Sequence, residues 1–148
     1  MDAASKVLLM IKNCNMKITN ERKNLVQIFL DNPTCHFTAS DLHDRLKANG
    51  FKVGYATIYR NLKLFLTINF ISSISLEDGR KKYELVYEKE HSICTTHLIC
   101  NRCGNVSDLV FKIDNYIVPN IPDTLISNVE NIGVQIYGIC IECGKSIE

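Results

Sequence analysis

The 148-residue sequence has no stretch approaching the ~20 consecutive apolar residues that a membrane-spanning helix needs. Near its start there is no long apolar run followed by a small-residue cleavage site. A soluble protein of the cytoplasm with no membrane partner is therefore the expectation. Net charge is also missing: 17 Lys+Arg against 16 Asp+Glu leave +1, which by itself points to neither nucleic acid nor a membrane surface. Internal repeats and low-complexity tracts are absent. The 46% of apolar residues suffice for a real core and rule out a disordered or fibrous chain. The length allows one ordinary domain or two small ones.

The near-zero total hides a split. Residues 1–83 carry 13 Lys+Arg against 7 Asp+Glu, a balance of +6, whereas residues 84–148 carry 4 against 9, a balance of −5. Such asymmetry suggests two modules with different partners.

In the basic half, Thr19 can cap a helix over Asn20 to Leu30, where Leu25, Ile28 and Phe29 recur at helical spacing before Asp31-Asn32-Pro33 stops it. Thr38-x-x-Asp41 opens a second helix, with Leu42 and Leu46 on one face and Asn49-Gly50 at its end. A third is expected from Gly54 to Thr67, with Ile58, Leu62, Phe65 and Leu66 as an apolar stripe and Thr57, Tyr59, Arg60 and Lys63 opposite. The period then changes. Phe70 to Leu76 and Arg80 to Leu85 are β-prone runs joined by Glu77-Asp78-Gly79, a hairpin signal. Three helices and a hairpin make a winged helix-turn-helix, although an unrelated small α+β domain could share that order. After residue 85, strands are expected at Thr96 to Ile99, Val106 to Phe111 and Val134 to Ile139, and Pro119 and Pro122 limit any helix within Lys112 to Glu130 to short pieces.

Seven cysteines is an odd number, and four stand as Cys100-x-x-Cys103 and Cys140-x-x-Cys143, with 36 residues between the pairs. Two such pairs can set four thiolates tetrahedrally around one Zn²⁺ at about 2.3 Å. Gly104 and Gly144 each follow a second cysteine, where a tight knuckle favours a residue free to take positive φ. A redox pair is the competing reading, but thiol-disulfide enzymes use one C-x-x-C at a helix start, not two near strand ends.

These segments together resemble the ferric uptake regulator family. Met16 to Arg22 resembles the entry to that family's first long helix, Gly54 to Leu62 its DNA-reading helix, and Gly79 to Leu85 the end of its wing. His97 to Gly104 is similar to its zinc knuckle and Tyr137 to Cys140 to its final strand, so the resemblance spans roughly residues 15 to 144. It implies an α+β chain with an N-terminal winged helix-turn-helix DNA-binding domain at 1–83 and a small zinc-stabilised α/β dimerisation domain at 84–148. The implied protein is a homodimeric, metal-dependent repressor of metal-homeostasis genes that binds a double-stranded DNA operator. It is not an enzyme and takes no small-molecule substrate.

Carried over residue by residue, the resemblance gives Tyr55, Thr57, Tyr59 and Arg60 as DNA-reading residues, with Lys17 and Arg22 as backbone or minor-groove contacts. A recognition helix does need polar or cationic groups on its exposed face. Taken alone, Tyr59 could equally pack half-buried on the wing and Arg60 be a solvated charge. Lys81 and Lys82 read either as phosphate contacts or as edge-strand solubility lysines. For the regulatory site the resemblance implies His36, Glu84, His97 and Asp108, the last standing five residues after Cys103. Imidazole and carboxylate ligands suit Fe²⁺, Mn²⁺ or Zn²⁺.

The sequence departs from the family between Glu84 and Cys100, where a histidine cluster is usual. Thr95 stands two before His97, leaving His91 or Cys94 as the source of an extra regulatory ligand. A Cys94 thiolate would favour zinc, and a buried hydrophobe is the alternative for it. Ile132 occupies the position eight before Cys140 where an auxiliary-site histidine would stand. Cys14 and Cys35 have no partner at metal spacing and read as packing thiols, although Cys35 beside His36 leaves a redox role open. The iron-responsive reading is taken first. A zinc-uptake or peroxide-sensing regulator of the same family is the nearest alternative. A zinc-ribbon interaction module or a thiol-disulfide oxidoreductase comes from another class, and neither accounts for residues 15 to 85.

Overall fold

In the computed structural model, residues 2–86, 94–109, 120–122, 124–125 and 132–145 are described. The chain divides into two compact units, Met1–Glu88 and Lys89–Glu148.

The first unit opens with a helix that the sequence reading does not anticipate, α1 (Ala3–Asn13). Its local causes are ordinary: Asp2 caps it by accepting from the Ser5 amide at 2.7 Å, and Val7 and Ile11 form a fully buried i, i+4 pair. Three helices follow, α2 (Asn20–Asp31), α3 (Ala39–Ala48) and α4 (Tyr55–Thr67), each starting within a residue of its expected place. Thr19 accepts from the Arg22 amide at 3.2 Å. Thr38 and Asp41 close a full capping box. Helices α1, α3 and α4 end alike, with Asn15, Gly50 and Asn69 in the left-handed region at φ 56, 85 and 53. In each, the amide two residues beyond the cap returns to a carbonyl of the last turn, as Phe51 does to Leu46 at 2.9 Å.

The wing is an antiparallel pair, β1 (Ile71–Ser75) and β2 (Lys81–Leu85), in register Ile71 to Leu85. Its turn is the expected Glu77-Asp78-Gly79, with Gly79 at φ +81 and the Leu76 amide bonded to the Arg80 carbonyl at 2.8 Å. A single bridge between Phe37 and Tyr83 ties the approach to α3 onto β2. The core gathers on Phe29, fully buried and edge-on to Phe37, Phe65 and Phe70 at 5.5, 6.4 and 6.0 Å. Around them pack Leu25, Leu42, Leu46, Ile58 and Leu62.

The second unit holds a three-stranded sheet in the order β4 (Val106–Leu109), β3 (Cys94–Cys100), β5 (Ile132–Gly138). Strands β3 and β4 are antiparallel, and β3 and β5 are parallel. The end expected for β4 at Phe111 and most of the segment Lys112 to Glu130, Pro119 included, lie outside the described residues. A short helix, α5 (Ile141–Lys145), not anticipated from sequence, carries the last cysteine. Among the described residues no helix is long and apolar enough to cross a membrane.

Candidate metal centres and nucleic-acid interface

The four paired cysteines converge. Cys100 ends β3, Cys103 follows in the turn to β4, and Cys140 and Cys143 straddle the start of α5. Their sulfurs lie within 4.8 Å of one another, with Cys103 and Cys140 3.8 Å apart. A tetrahedron with metal–sulfur bonds of about 2.3 Å has edges of about 3.8 Å, so the donor set fits one zinc. The Gly104 amide donates to the Cys100 carbonyl at 2.8 Å and the Gly144 amide to the Cys140 carbonyl at 2.9 Å. The two knuckles nevertheless differ. Gly104 takes the expected positive φ of 69, but Gly144 does not, because α5 makes the second knuckle helical.

The thiols also titrate apart. Backbone amides of Cys103 and then Cys140 favour the Cys100 thiolate and bring its pKa down to about 6. Hydrogen bonding to Cys140, then burial and the remaining neighbouring thiols push Cys143 up to about 12. Four thiolates this close repel one another, and a divalent cation is what lets all four lose their protons. Arg102 reaches across to donate to the Cys143 carbonyl at 2.7 Å.

The four residues expected for a regulatory metal form two imidazole–carboxylate pairs, one in each unit. In the first unit, the Phe37–Tyr83 bridge sets the neighbouring His36 beside Glu84 of β2, with Nε2 3.4 Å from Oε2. Both side chains are buried. Glu84 stands opposite Ser72, whose hydroxyl donates to its Oε1 at 2.9 Å. In the second unit, His97 of β3 stands directly across from Asp108 of β4, with Nε2 3.5 Å from Oδ1. His97 is buried and Asp108 exposed. His91 lies outside the described residues, and of Cys94 only the backbone at the start of β3 is described.

On the first unit, α4 turns Ile58, Leu62 and Phe65 inward and leaves Tyr55, Tyr59, Arg60 and Lys63 exposed. Tyr59 is 53% exposed. Arg60 donates to the Thr57 hydroxyl at 3.2 Å. Tyr55 stacks on His43 of α3 with ring centres 4.7 Å apart, a contact that no sequence pattern announces. Tyr55 and Tyr59 share an open cleft of about 540 Å³ with Thr38, Arg80, Lys81 and Tyr83, between α4 and the wing. At the wing tip, hydrogen bonds from Arg80 hold the Asp78 carboxyl below its ordinary range. Lys17 is exposed. Arg22 is not displayed as a surface contact would be: it is only 8% exposed, and its guanidinium donates to Asn61 of α4 and to the Lys17 carbonyl. The helical spacing of Leu25, Ile28 and Phe29 marks the inner face of α2, but only the position of Asn61 reveals that Arg22 has an acceptor there.

A family model described as the ferric uptake regulator family matches residues 13–137. The ferric uptake regulation protein of Legionella pneumophila is 30% identical over 133 residues, which cover 90% of this chain and 95% of the relative. Among solved structures, the ferric uptake regulator from Francisella tularensis, determined with iron, superposes with a TM-score of 0.73 at 26% identity. That match covers 87% of this chain and 95% of that one. The Helicobacter pylori regulator shares the fold with a TM-score of 0.78 at 19% identity, over 95% of this chain and 90% of that one.

Proposed function

Because the chain belongs to the ferric uptake regulator family, whose members are metal-responsive transcription regulators rather than enzymes, we propose that it is a homodimeric, iron-responsive repressor of metal-homeostasis genes. It acts in the cytoplasm on double-stranded operator DNA. The observation that carries this reading is the exposed Tyr55, Tyr59 and Arg60 face of α4 beside a wing bearing Arg80 and Lys81, on a half of the chain with a charge balance of +6. In the proposed complex, Arg60 and Thr57 approach base edges in the major groove, Tyr55 and Tyr59 offer apolar surface to thymine methyls, and Lys17 meets the backbone. The first unit, Met1–Glu88, serves as the DNA-binding domain and the second, Lys89–Glu148, as the dimerisation and metal-binding domain.

Cys100, Cys103, Cys140 and Cys143 hold structural zinc, in a closed donor set with no position left for a substrate. His36, Glu84, His97 and Asp108 bind the regulatory ion together, with His91 and Cys94 available as further ligands. A bound divalent cation would supply positive charge that both carboxylates and both neutral imidazoles favour. Two of these ligands belong to each unit, so the ion bound in common would couple the units and bias the arrangement that fits DNA. Fe²⁺, Mn²⁺ and Zn²⁺ all suit the ligand types, and among fold neighbours one is a regulator with manganese from Pseudomonas aeruginosa and another a zinc-bound manganese uptake regulator.

The deciding experiment is anaerobic titration of Fe²⁺, Mn²⁺ and Zn²⁺ into protein already holding one zinc per chain, while binding to a duplex selected by the protein from a random pool is followed. The expected result is a second equivalent of Fe²⁺ that switches binding on, with His97→Ala abolishing the switch and Arg60→Ala abolishing binding. A switch by Zn²⁺ alone would make the protein a zinc-uptake regulator. No response to any of the three would sink the regulatory-site assignment.

A further inference from the structure

Arg22 is a buried cation that hydrogen-bonds to neutral groups. Its Nε donates to Asn61 Oδ1 at 2.6 Å and its Nη1 to the Lys17 carbonyl, while Asn61 Nδ2 donates to the Thr57 carbonyl at 2.9 Å. Asn61 is itself 3% exposed. Desolvation works against the charged form of Arg22. An arginine and an asparagine in the seam between two helices cost more than a pair of well-packed apolar residues there would. The two side chains do, however, link three parts of the DNA-facing surface: the stretch around Lys17 that precedes α2, the body of α2, and the Thr57 turn of α4. Thr57 in turn receives Arg60.

We propose that Arg22 and Asn61 are positioning residues, a buried relay that fixes the Lys17-bearing stretch against the recognition helix so that Lys17 and the Thr57–Arg60 face meet one DNA duplex in a set register. The inference rests on the DNA-binding reading above and adds to it the residues that hold its two contact regions together. A planar guanidinium suits the task because its fork reaches a side-chain amide and a backbone carbonyl at once, which an ammonium or an apolar side chain of similar length does not. Without the relay, Lys17 would still be present and charged, but the stretch carrying it would lose this tie to α4, and its phosphate contact would carry an ordering cost.

The test uses the full-length, zinc-loaded, Mn²⁺-saturated protein and a duplex that the wild type enriches from a random-sequence pool. Affinity is measured across a salt series for Lys17→Ala, Asn61→Leu, Arg22→Met, and the combinations of Lys17→Ala with each of the other two. We expect Asn61→Leu and Arg22→Met each to weaken binding about tenfold and to lower the salt slope by about 1, as loss of one phosphate contact does. Adding Lys17→Ala to either should then change little, because the contact is already lost. The double variant Arg22→Met/Asn61→Leu removes both partners and orphans neither, so it should stay folded and show the same DNA defect. Full additivity with Lys17→Ala at an unchanged salt slope would overturn the relay and leave a purely structural role. If Arg60→Ala also leaves binding intact, the DNA-binding reading fails and the relay falls with it.

Discussion

The two units of this chain are held together differently. The first buries a continuous apolar core, from Val7 and Ile11 of α1 through the Phe29, Phe65 and Phe70 cluster to Leu85 of β2, and its helices α1 and α3 are capped at both ends. Among the described residues of the second, the buried apolar side chains are Ile99, Cys100 and Val106, and many others stay partly open to solvent, such as Ile136 at 43% and Tyr137 at 42%. Beside that short list of described interior residues, the unit's four converging thiols supply a site whose ligation is folding free energy. The first unit therefore carries an intrinsic stability, and the second a conditional one.

Metal removal should break the comparison most strongly. Stripping zinc with a chelator under reducing conditions, or making Cys100→Ser, is expected to cost the second unit on the order of 10 kcal/mol of binding free energy. Proteolysis should then cut within residues 89–148 while a fragment containing α1 to β2 survives. Survival of both units would refute the conditional stability. Next in size is the converse: Phe29→Ala should destabilise the first unit by about 3–5 kcal/mol in urea unfolding and leave the zinc content at one per chain.

The titration of the thiols gives a third, smaller effect. Zinc requires thiolates, so every ligand that still carries its proton must release it on binding, and affinity falls as pH falls. With Cys143 pushed up to about 12, at least one proton is displaced per zinc at neutral pH. Cys100, brought down to about 6, adds its own proton to the competition only below that value. A competition titration with a chromophoric chelator should show zinc affinity falling throughout the neutral range and more steeply below about pH 6. An affinity independent of pH between 6 and 8 would contradict the four-thiolate site. The smallest effect separates the knuckles themselves. Gly104→Ala should cost about 1–2 kcal/mol because its φ is positive, whereas Gly144→Ala, within α5 and facing open space, should be neutral or slightly stabilising by thermal melting.

Much of the site was legible because its signals are local or paired. The capping box of Thr38 and Asp41, the stripe of Ile58, Leu62 and Phe65, and the turn at Gly79 each lie within one helix or hairpin, where spacing dictates geometry. The two C-x-x-C pairs were legible together because each fixes half a tetrahedron. Helix α1 is less legible because Val7 to Ile11 is an unbroken apolar run whose periodicity does not by itself tell a helix from a strand; Val7 and Ile11 are fully buried, and Leu8 and Met10 pack partly buried against the same core. The helical knuckle at Cys143 escaped for a related reason: Cys-Ile-Glu-Cys-Gly reads the same whether its glycine turns left-handed or continues a helix.

By itself the sequence determined that α2, α3, α4 and the β1–β2 hairpin form, which face of α4 is polar, and which four sulfurs are available in pairs, since these depend on periodicities and caps within a few residues. Tertiary structure alone decided that Arg22 turns inward to Asn61, 39 positions away, that Tyr55 stacks on His43, and that His97 and Asp108 face each other across β3 and β4. It also decided that β5 runs parallel to β3, bringing Cys140 to Cys100. Those outcomes follow from register and packing between distant segments, where a shift of one residue would send the same side chains to the opposite face.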